Sequence, residues 1–225
     1  MRLVRHDTDL WSAEDELAWP LATIRIPIRM TVLRLADGRL VLHSPIPIDA
    51  ALRIELDALG PVGFVVVPQM HGAFAAQAAS HFPAAQLLAA PAASKARRTL
   101  PFAGSLADEP PAAWAGQIES HLVEGFRLHE VLLFQRATRT LVITDLCFNV
   151  HRSASTFGRW FFVADGMWRR FGPSYAIRWL AVSDRAAFRR SLERVLAWDF
   201  ERIVPAHGDV IERGGRAALR EAWRI

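Results

Sequence analysis

Three short apolar runs, each stopping on a residue that can bind a metal or move a proton, constrain this chain more than anything else in it. Phe64-Val65-Val66-Val67 is a continuous apolar run of strand length and ends abruptly at Pro68-Gln69-Met70-His71-Gly72. Leu141-Val142-Ile143-Thr144 runs into Asp145, and Arg202-Ile203-Val204-Pro205 into Ala206-His207-Gly208. Unbroken apolar strands of this kind are buried on both faces, as in the sheets of layered α/β proteins. The loops just past the ends of such strands are where a rigid scaffold places functional groups. Two imidazoles and a carboxylate converging on one sheet edge suit zinc or another borderline divalent ion.

The intervening segments supply the rest of a layered fold. Ile24 to Leu35 is β-rich, and Ala36-Asp37-Gly38 is a hairpin signal into Arg39–His43. The prolines of Ser44-Pro45-Ile46-Pro47 break that sheet because they cannot donate to a ladder. Asp49 caps a helix to about Leu59, stopped by Gly60-Pro61, and an alanine-rich helix to about Phe82 follows the His71 loop. Gln86–Ala89 reads as a further buried strand, and residues 91–115 as loop with short helical pieces. Glu130–Phe134 pairs with Thr140–Thr144 across a turn, Ile118–Val123 alternates partly, and Thr156–Phe171 and Asp184–Trp198 carry helical patterns before a terminal helix from about Gly215. Strands first in hairpins and then alternating with helices predict an α/β layered sandwich, residues 1–225 forming one domain.

Composition narrows the function classes. Hydrophobic residues make up 52% and charged residues 22% of the 225, which argues against disorder. No apolar run approaches the roughly 20 residues that span a bilayer, and no basic-then-apolar leader opens the sequence. Cys147 is the sole cysteine, which excludes an internal disulfide framework and a Cys-rich zinc module and makes the cytoplasm the expected location. The net charge is only +4, and Lys95 is the only lysine among 27 basic residues. Arginine choice, more than a strong positive field, sets the basic isoelectric point, so nucleic acid is not the expected partner. The excess lies in residues 151–225, with 14 arginines against 8 acids, spread along helices as solvated faces are.

In order and spacing, these segments resemble the metallo-β-lactamase fold superfamily. There a buried strand ends in Thr-His-x-His-x-Asp-His, a Gly-His-Thr-Pro-Gly segment follows, and two later strands end in Thr-Gly-Asp and Pro-Gly-His-Gly. Here the matching stretches are Val67 to Phe74, Glu124 to His129, Leu141 to Asp145 and Val204 to Gly208. The closest similarity is to a divergent branch known only as a domain of unknown function. The resemblance implies a four-layer αββα sandwich with a metal site at one edge between two sheets. Carried over position by position, the first motif histidine falls on Gln69 and the second on His71. The motif aspartate and last histidine fall on Ala73 and Phe74, the next metal histidine on Phe126 (His129 lies three residues on), and the bridging aspartate and final histidine on Asp145 and His207.

The resemblance therefore implies, at most, a mononuclear metal-dependent hydrolase. His71, Asp145 and His207 would hold one zinc, iron or manganese ion, Gln69 or His129 would help, and Asp145 and His207 would be its catalytic groups acting on an unidentified small-molecule substrate. The alternative is a non-catalytic binding or assembly protein that holds no metal, in which Asp145 and His207 pin two strand ends. Apolar side chains at ligand positions favour that alternative, because they fill the space of an ion and raise the cost of any charge nearby. A further stretch, Thr156–Phe171, places Phe157, Trp160, Phe161, Ala164, Trp168 and Phe171 on one face at helical spacing, with Phe162 and Met167 off it. The face reads as core packing or as an exposed surface. In the second case a homo-oligomer interface is expected ahead of a membrane surface.

Overall fold

The structure, a computed structural model, describes residues 2–18, 24–69, 72–91 and 100–224. Its strands form two mixed sheets. The first holds β1 (Val4–Asp7), β2 (Leu10–Ala18), β3 (Arg25–Arg34), β4 (Leu40–His43), β5 (Val62–Val67), β6 (Gln86–Ala89) and β7 (Gly104–Ser105) in sequence order. Pairing is antiparallel from β1 to β4 and parallel from β4 to β7. The second sheet runs β11-β10-β9-β8, from β8 (Ile118–Leu122), β9 (Val131–Gln135), β10 (Thr140–Ile143) and β11 (Arg202–Pro205).

Helices cover the two outer faces. Helices α1 (Ala50–Leu59) and α2 (Ala75–His81) lie on the first sheet, where Leu52, Leu56, Ala75 and Ala78 join Val32, Leu42, Val65 and Val67 in one buried cluster. On the second sheet, α4 (Arg185–Leu196) and α5 (Gly215–Trp223) bury Phe188, Leu192, Val195, Leu219 and Trp223 against Leu132, Phe134, Leu141 and Ile203. Between the sheets, Leu33, Val41, Phe64 and Val66 meet Val131, Leu133, Val142 and Val204, with Trp114 set edge-on to Phe64 at 5.3 Å. Successive side chains of a strand point to opposite faces. Val65 and Val67 thus serve the outer core while Phe64 and Val66 serve the inner one, and an unbroken apolar run is what that position demands. The result is the αββα sandwich expected from sequence.

Caps form where the sequence signals them. Asp49 Oδ1 accepts from Leu52 N at 2.7 Å, and Asp184 Oδ1 accepts from Ala186 N and Ala187 N at the start of α4. Two elements differ from the reading above. Residues 4–7 and 10–18 form a long edge hairpin that the polar run His6–Asp9 conceals. The aromatic helix α3 runs only Thr156–Ala164, because Gly166 takes a left-handed φ of 70° and Met167 N and Trp168 N turn back to Phe162 O at 2.8 and 3.0 Å. Of the two readings of its aromatic face, the exposed surface fits Phe157 and Trp160. Gly158 and Phe162 face inward, while Phe157, Trp160 and Val163 are exposed. Among the described residues no helix is long and apolar enough to cross a membrane.

Candidate functional site

The parallel pairing of β10 with β11 builds the site. Their register ends at Ile143 opposite Pro205, so Asp145 and His207 each stand two residues beyond the last pair, and Ala206 N extends the ladder to Ile143 O at 2.9 Å. Equivalent positions on parallel neighbours lie side by side, and His207 Nε2 is 3.0 Å from Asp145 Oδ1. From the first sheet, Gln69 comes off the end of β5 and donates from Nε2 to Asp145 Oδ2 at 2.5 Å. The other ring nitrogen, Nδ1 of His207, lies 2.7 Å from the carbonyl of Pro27 on β3. Phe148 stacks on the imidazole at a centroid separation of 5.2 Å. Gln69, Asp145 and His207 are all buried.

A second carboxylate supports this trio from behind. The β9–β10 pairing, extended past Leu133–Val142, brings Glu130 opposite Asp145. Glu130 is wholly buried and accepts from the backbone N–H groups of Thr144, Asp145 and Leu146 at 2.6, 3.0 and 2.8 Å. Burial, and then the charge of Asp145, push its carboxyl up to about 7. Sequence reasoning missed Glu130 as a site residue, although a lone acid directly before the apolar run Val131–Phe134 was a usable signal. It also missed Arg29, buried on β3, which donates to Pro205 O at 2.6 Å and pairs with Glu14.

The remaining expected ligands are not gathered here. His71 lies outside the described residues. His129 is exposed in a left-handed turn, φ 47°, and its amide bonds Phe126 O. Phe126 is buried in the outer core of the second sheet, 5.5 Å from the ring of Phe188. Ala73 is exposed, and Phe74 is half-buried against the core of the first sheet. No group of three His, Cys, Asp or Glu side chains able to hold an ion occurs among the described residues. Gln69 turns its amide nitrogen, not its oxygen, to Asp145, and Oε1 is buried without a partner among the described residues. Both ring nitrogens of His207 are engaged by oxygens, Nδ1 by the Pro27 carbonyl and Nε2 by Asp145 Oδ1. The described donor set does not fit the metal centre implied by the fold.

Two hollows adjoin the trio. Phe74, Ala73, Thr144 and His207 border a cavity of about 30 Å³, room for about one water. Asp145 and His207 also lie in the wall of a larger cleft of about 200 Å³, otherwise lined mainly by Leu17, Ile26, Phe161, Phe162, Met167 and Ile177. Cys147, two residues past Asp145, is a buried free thiol whose ionisation burial strongly opposes, which leaves it unreactive.

Residues 7–158 match a domain of unknown function, DUF4336. The chain belongs to this family. No curated protein matches the DUF4336 sequence significantly. Among solved structures it is similar to a metallo-β-lactamase from Pontibacter korlensis, at 13% identity and a TM-score of 0.66 over 99% of this chain and 98% of that one. A metallo-β-lactamase from Hirschia baltica gives 12% identity and 0.68, over 99% and 96%. The flavodiiron core of Flv1 from Synechocystis sp. PCC6803 gives 14% and 0.70, over 99% of this chain and 60% of that one. At these identities the likeness shows the fold. This DUF4336 protein thus has the metallo-β-lactamase fold without an intact metal-coordinating cluster among its described residues.

Proposed function

We propose that this protein is a non-catalytic binding protein in which a hydrogen-bonded lock, Gln69–Asp145–His207, closes the carboxyl ends of β5, β10 and β11. The cleft beside the lock receives a small uncharged ring compound. One observation carries the reading. His207 has both ring nitrogens engaged, Nδ1 with Pro27 O and Nε2 with Asp145, so neither faces an open site until one of those contacts breaks. The cleft, at about 200 Å³ and with apolar walls, is of the order of an engineered apolar cavity of about 150 Å³ that takes up benzene. A buried, free Cys147 suits the reducing cytoplasm.

The test uses the methyl resonance of Met167, which lines the cleft, in protein labelled at methionine methyls. Indole is expected to shift that resonance saturably at millimolar concentration or below. Ile177→Trp, which fills the cleft, is expected to remove the shift. No shift in the parent protein refutes the ligand reading. A second reading, a single zinc, iron or manganese ion held by Asp145 and His207, is favoured by the Pro27 contact, which orients His207 Nδ1 as metal-bound histidines commonly are. Such an ion would supply an activated water. Below roughly a tenth of an equivalent of these metals in untagged protein, with no gain on reconstitution, that second reading fails. One equivalent, with hydrolysis of an ester or phosphoester abolished in Asp145→Asn, would replace the binding reading with it.

The partner we propose at α3 is a second copy of the chain. Phe157, Trp160 and Val163 are 47, 64 and 54% exposed, and Phe157 stacks on Trp160 at 6.1 Å. Exposed aromatic clusters of this sort are common at protein interfaces. Light scattering is expected to give a dimer mass that Trp160→Glu halves. A parent protein that is monomeric at about 100 μM would rule the interface out.

A further inference from the structure

In the helical layer of the second sheet, the π-helical turn Ile177–Ala181 borders two adjoining clefts. One, about 300 Å³, is lined by Arg178, Trp179, Arg185, Phe188, Trp223 and Arg224 among others. The other, about 700 Å³, is lined by Arg170, Phe171, Tyr175, Arg178, Trp179 and Arg224, with Glu221 as its one acid. Arg178, Trp179 and Arg224 border both, so the two form a continuous groove. Such volumes are those of small-molecule sites.

Arg189, in the first cleft, pairs with Glu193 at 3.1 Å, but Arg170 and Arg178 are held by backbone carbonyls instead. Arg170 donates from Nε to Gly166 O at 2.8 Å and from Nη2 to Pro173 O at 2.7 Å, and lies 5.6 Å from the Tyr175 ring centre. Arg178 donates from Nη2 to Ala222 O and sits 5.2 Å over Trp223. Neither Arg170, Arg178 nor Arg224 makes a salt bridge among the described residues, although most of the other arginines bonded in the structure pair with a carboxylate. Burial and the neighbouring charges of Arg170 and Arg224 hold Arg178 below its ordinary value, the cost of crowding like charges. Backbone carbonyls fix the heads of Arg170 and Arg178 while leaving Nη1 of each without an acceptor among the described residues. Planar donors fixed in this way are preorganised for phosphate oxygens. On the rim, Trp179 and Tyr175 are 67 and 49% exposed and offer flat faces for a stacked ring.

We propose that this groove binds a nucleoside diphosphate, its phosphates on Arg170, Arg178 and Arg224 and its base on Trp179. The fixed guanidinium groups of Arg170 and Arg178, with the exposed Arg224 beside them, account for the phosphates, and the exposed indole accounts for the ring. The groove shares none of its lining with the Gln69–Asp145–His207 lock, although Ile177 of the same π-helical turn lines the cleft beside that lock.

Calorimetric titration of the full chain with ADP, pyrophosphate and adenosine tests it. ADP is expected to bind saturably at micromolar concentration, pyrophosphate about tenfold more weakly, and adenosine not measurably. Arg224→Glu changes an exposed side chain and is expected to weaken ADP and pyrophosphate alike, by about tenfold or more. Trp179→Ala is expected to weaken ADP about tenfold and to leave pyrophosphate within about twofold. Circular dichroism checks that both variants remain folded. The proposal is overturned if ADP shows no saturable binding to the parent protein, if Arg224→Glu binds ADP as the parent does, or if only vesicles of phosphatidylglycerol bind.

Discussion

Alanine at position 208 is expected to destabilise the protein by more than about 3 kcal/mol and to part His207 from Asp145. Gly208 has φ +94°, and a Cβ there would lie 2.1 Å from the carbonyl oxygen of Asn149, 2.3 Å from its carbon and 2.8 Å from Val150 N. These are backbone atoms, which cannot swing aside as the end of a long side chain can. They are also engaged. Asn149 N donates to His207 O at 3.0 Å and Asp209 N to Asn149 O at 2.8 Å, so a side chain at 208 must split the two segments that carry Phe148 and His207. At about 2–4 °C per kcal/mol for a chain of this size, Tm should fall by roughly 6–12 °C. Gly38 and Gly214 provide the controls. Both have positive φ, but a Cβ there meets nothing within 4 Å, so their alanine variants should lose only about 1 kcal/mol. A Gly208→Ala protein melting with these controls would show that the close approach to Asn149 does not hold the site together.

Stability should depend on pH through two buried groups of opposite sign. His43, at the end of β4, is fully buried, and burial lowers its pKa from 6.5 to about 3. Between those values the unfolded chain carries the proton and the folded one does not, so stability falls as the pH drops below about 6.5 and goes on falling towards 3. Glu130 behaves in the opposite way. Its pKa is raised from 4.5 to about 7, so the folded state holds the proton longer, and its contribution is fully present below about 4.5 and is lost as the pH rises to about 7. His6 and His121, also lowered mainly by burial, add to the His43 trend. The parent protein should therefore weaken in mild acid, with Glu130 offsetting part of the loss. Each group changes the slope by up to about 1.4 kcal/mol per pH unit. Urea melts from pH 4.5 to 6.5 should show a shallower acid loss for His43→Leu and a steeper one for Glu130→Gln. Profiles parallel to the parent in both variants would refute these assignments. Glu130→Gln should also weaken the fold at every pH, since an amide NH₂ cannot accept the backbone N–H bonds that an oxygen of Glu130 receives.

The framework of the site was legible because strand ends are legible. An apolar run halted by Asp145 and another halted two residues before His207 mark parallel strands, and parallel register alone brings those two side chains together. Gln69 follows from the same logic on the other sheet. The expected role was harder to read, because a position-by-position likeness assigns a residue to a place without saying which way it faces. Phe126 falls in ligand register yet belongs to the outer core with Phe188, and His129 turns out to solvent. Glu130 went unrecognised as a clamp because its partners are backbone amides, which leave no trace in the sequence. For a similar reason the sequence leaves the aromatic face of α3 open between core and surface. Periodicity gives the angle between side chains but not which side meets the protein, and here Gly158 and Phe162 are the buried positions.

The pairing of β10 with β11 also bears on the order in which the chain folds. Sixty-two residues separate Thr140 from Arg202, and the ladder between them closes a loop that contains α3, the π-helical turn and α4. Closing so long a loop is entropically late compared with zipping the β9–β10 hairpin, whose partners are neighbours in the chain. During synthesis the hairpin can form first, with Glu130 and Asp145 facing each other across it. Until β11 emerges and delivers His207, that half-built sheet lacks its imidazole, and the last strand to dock is the one that relieves it.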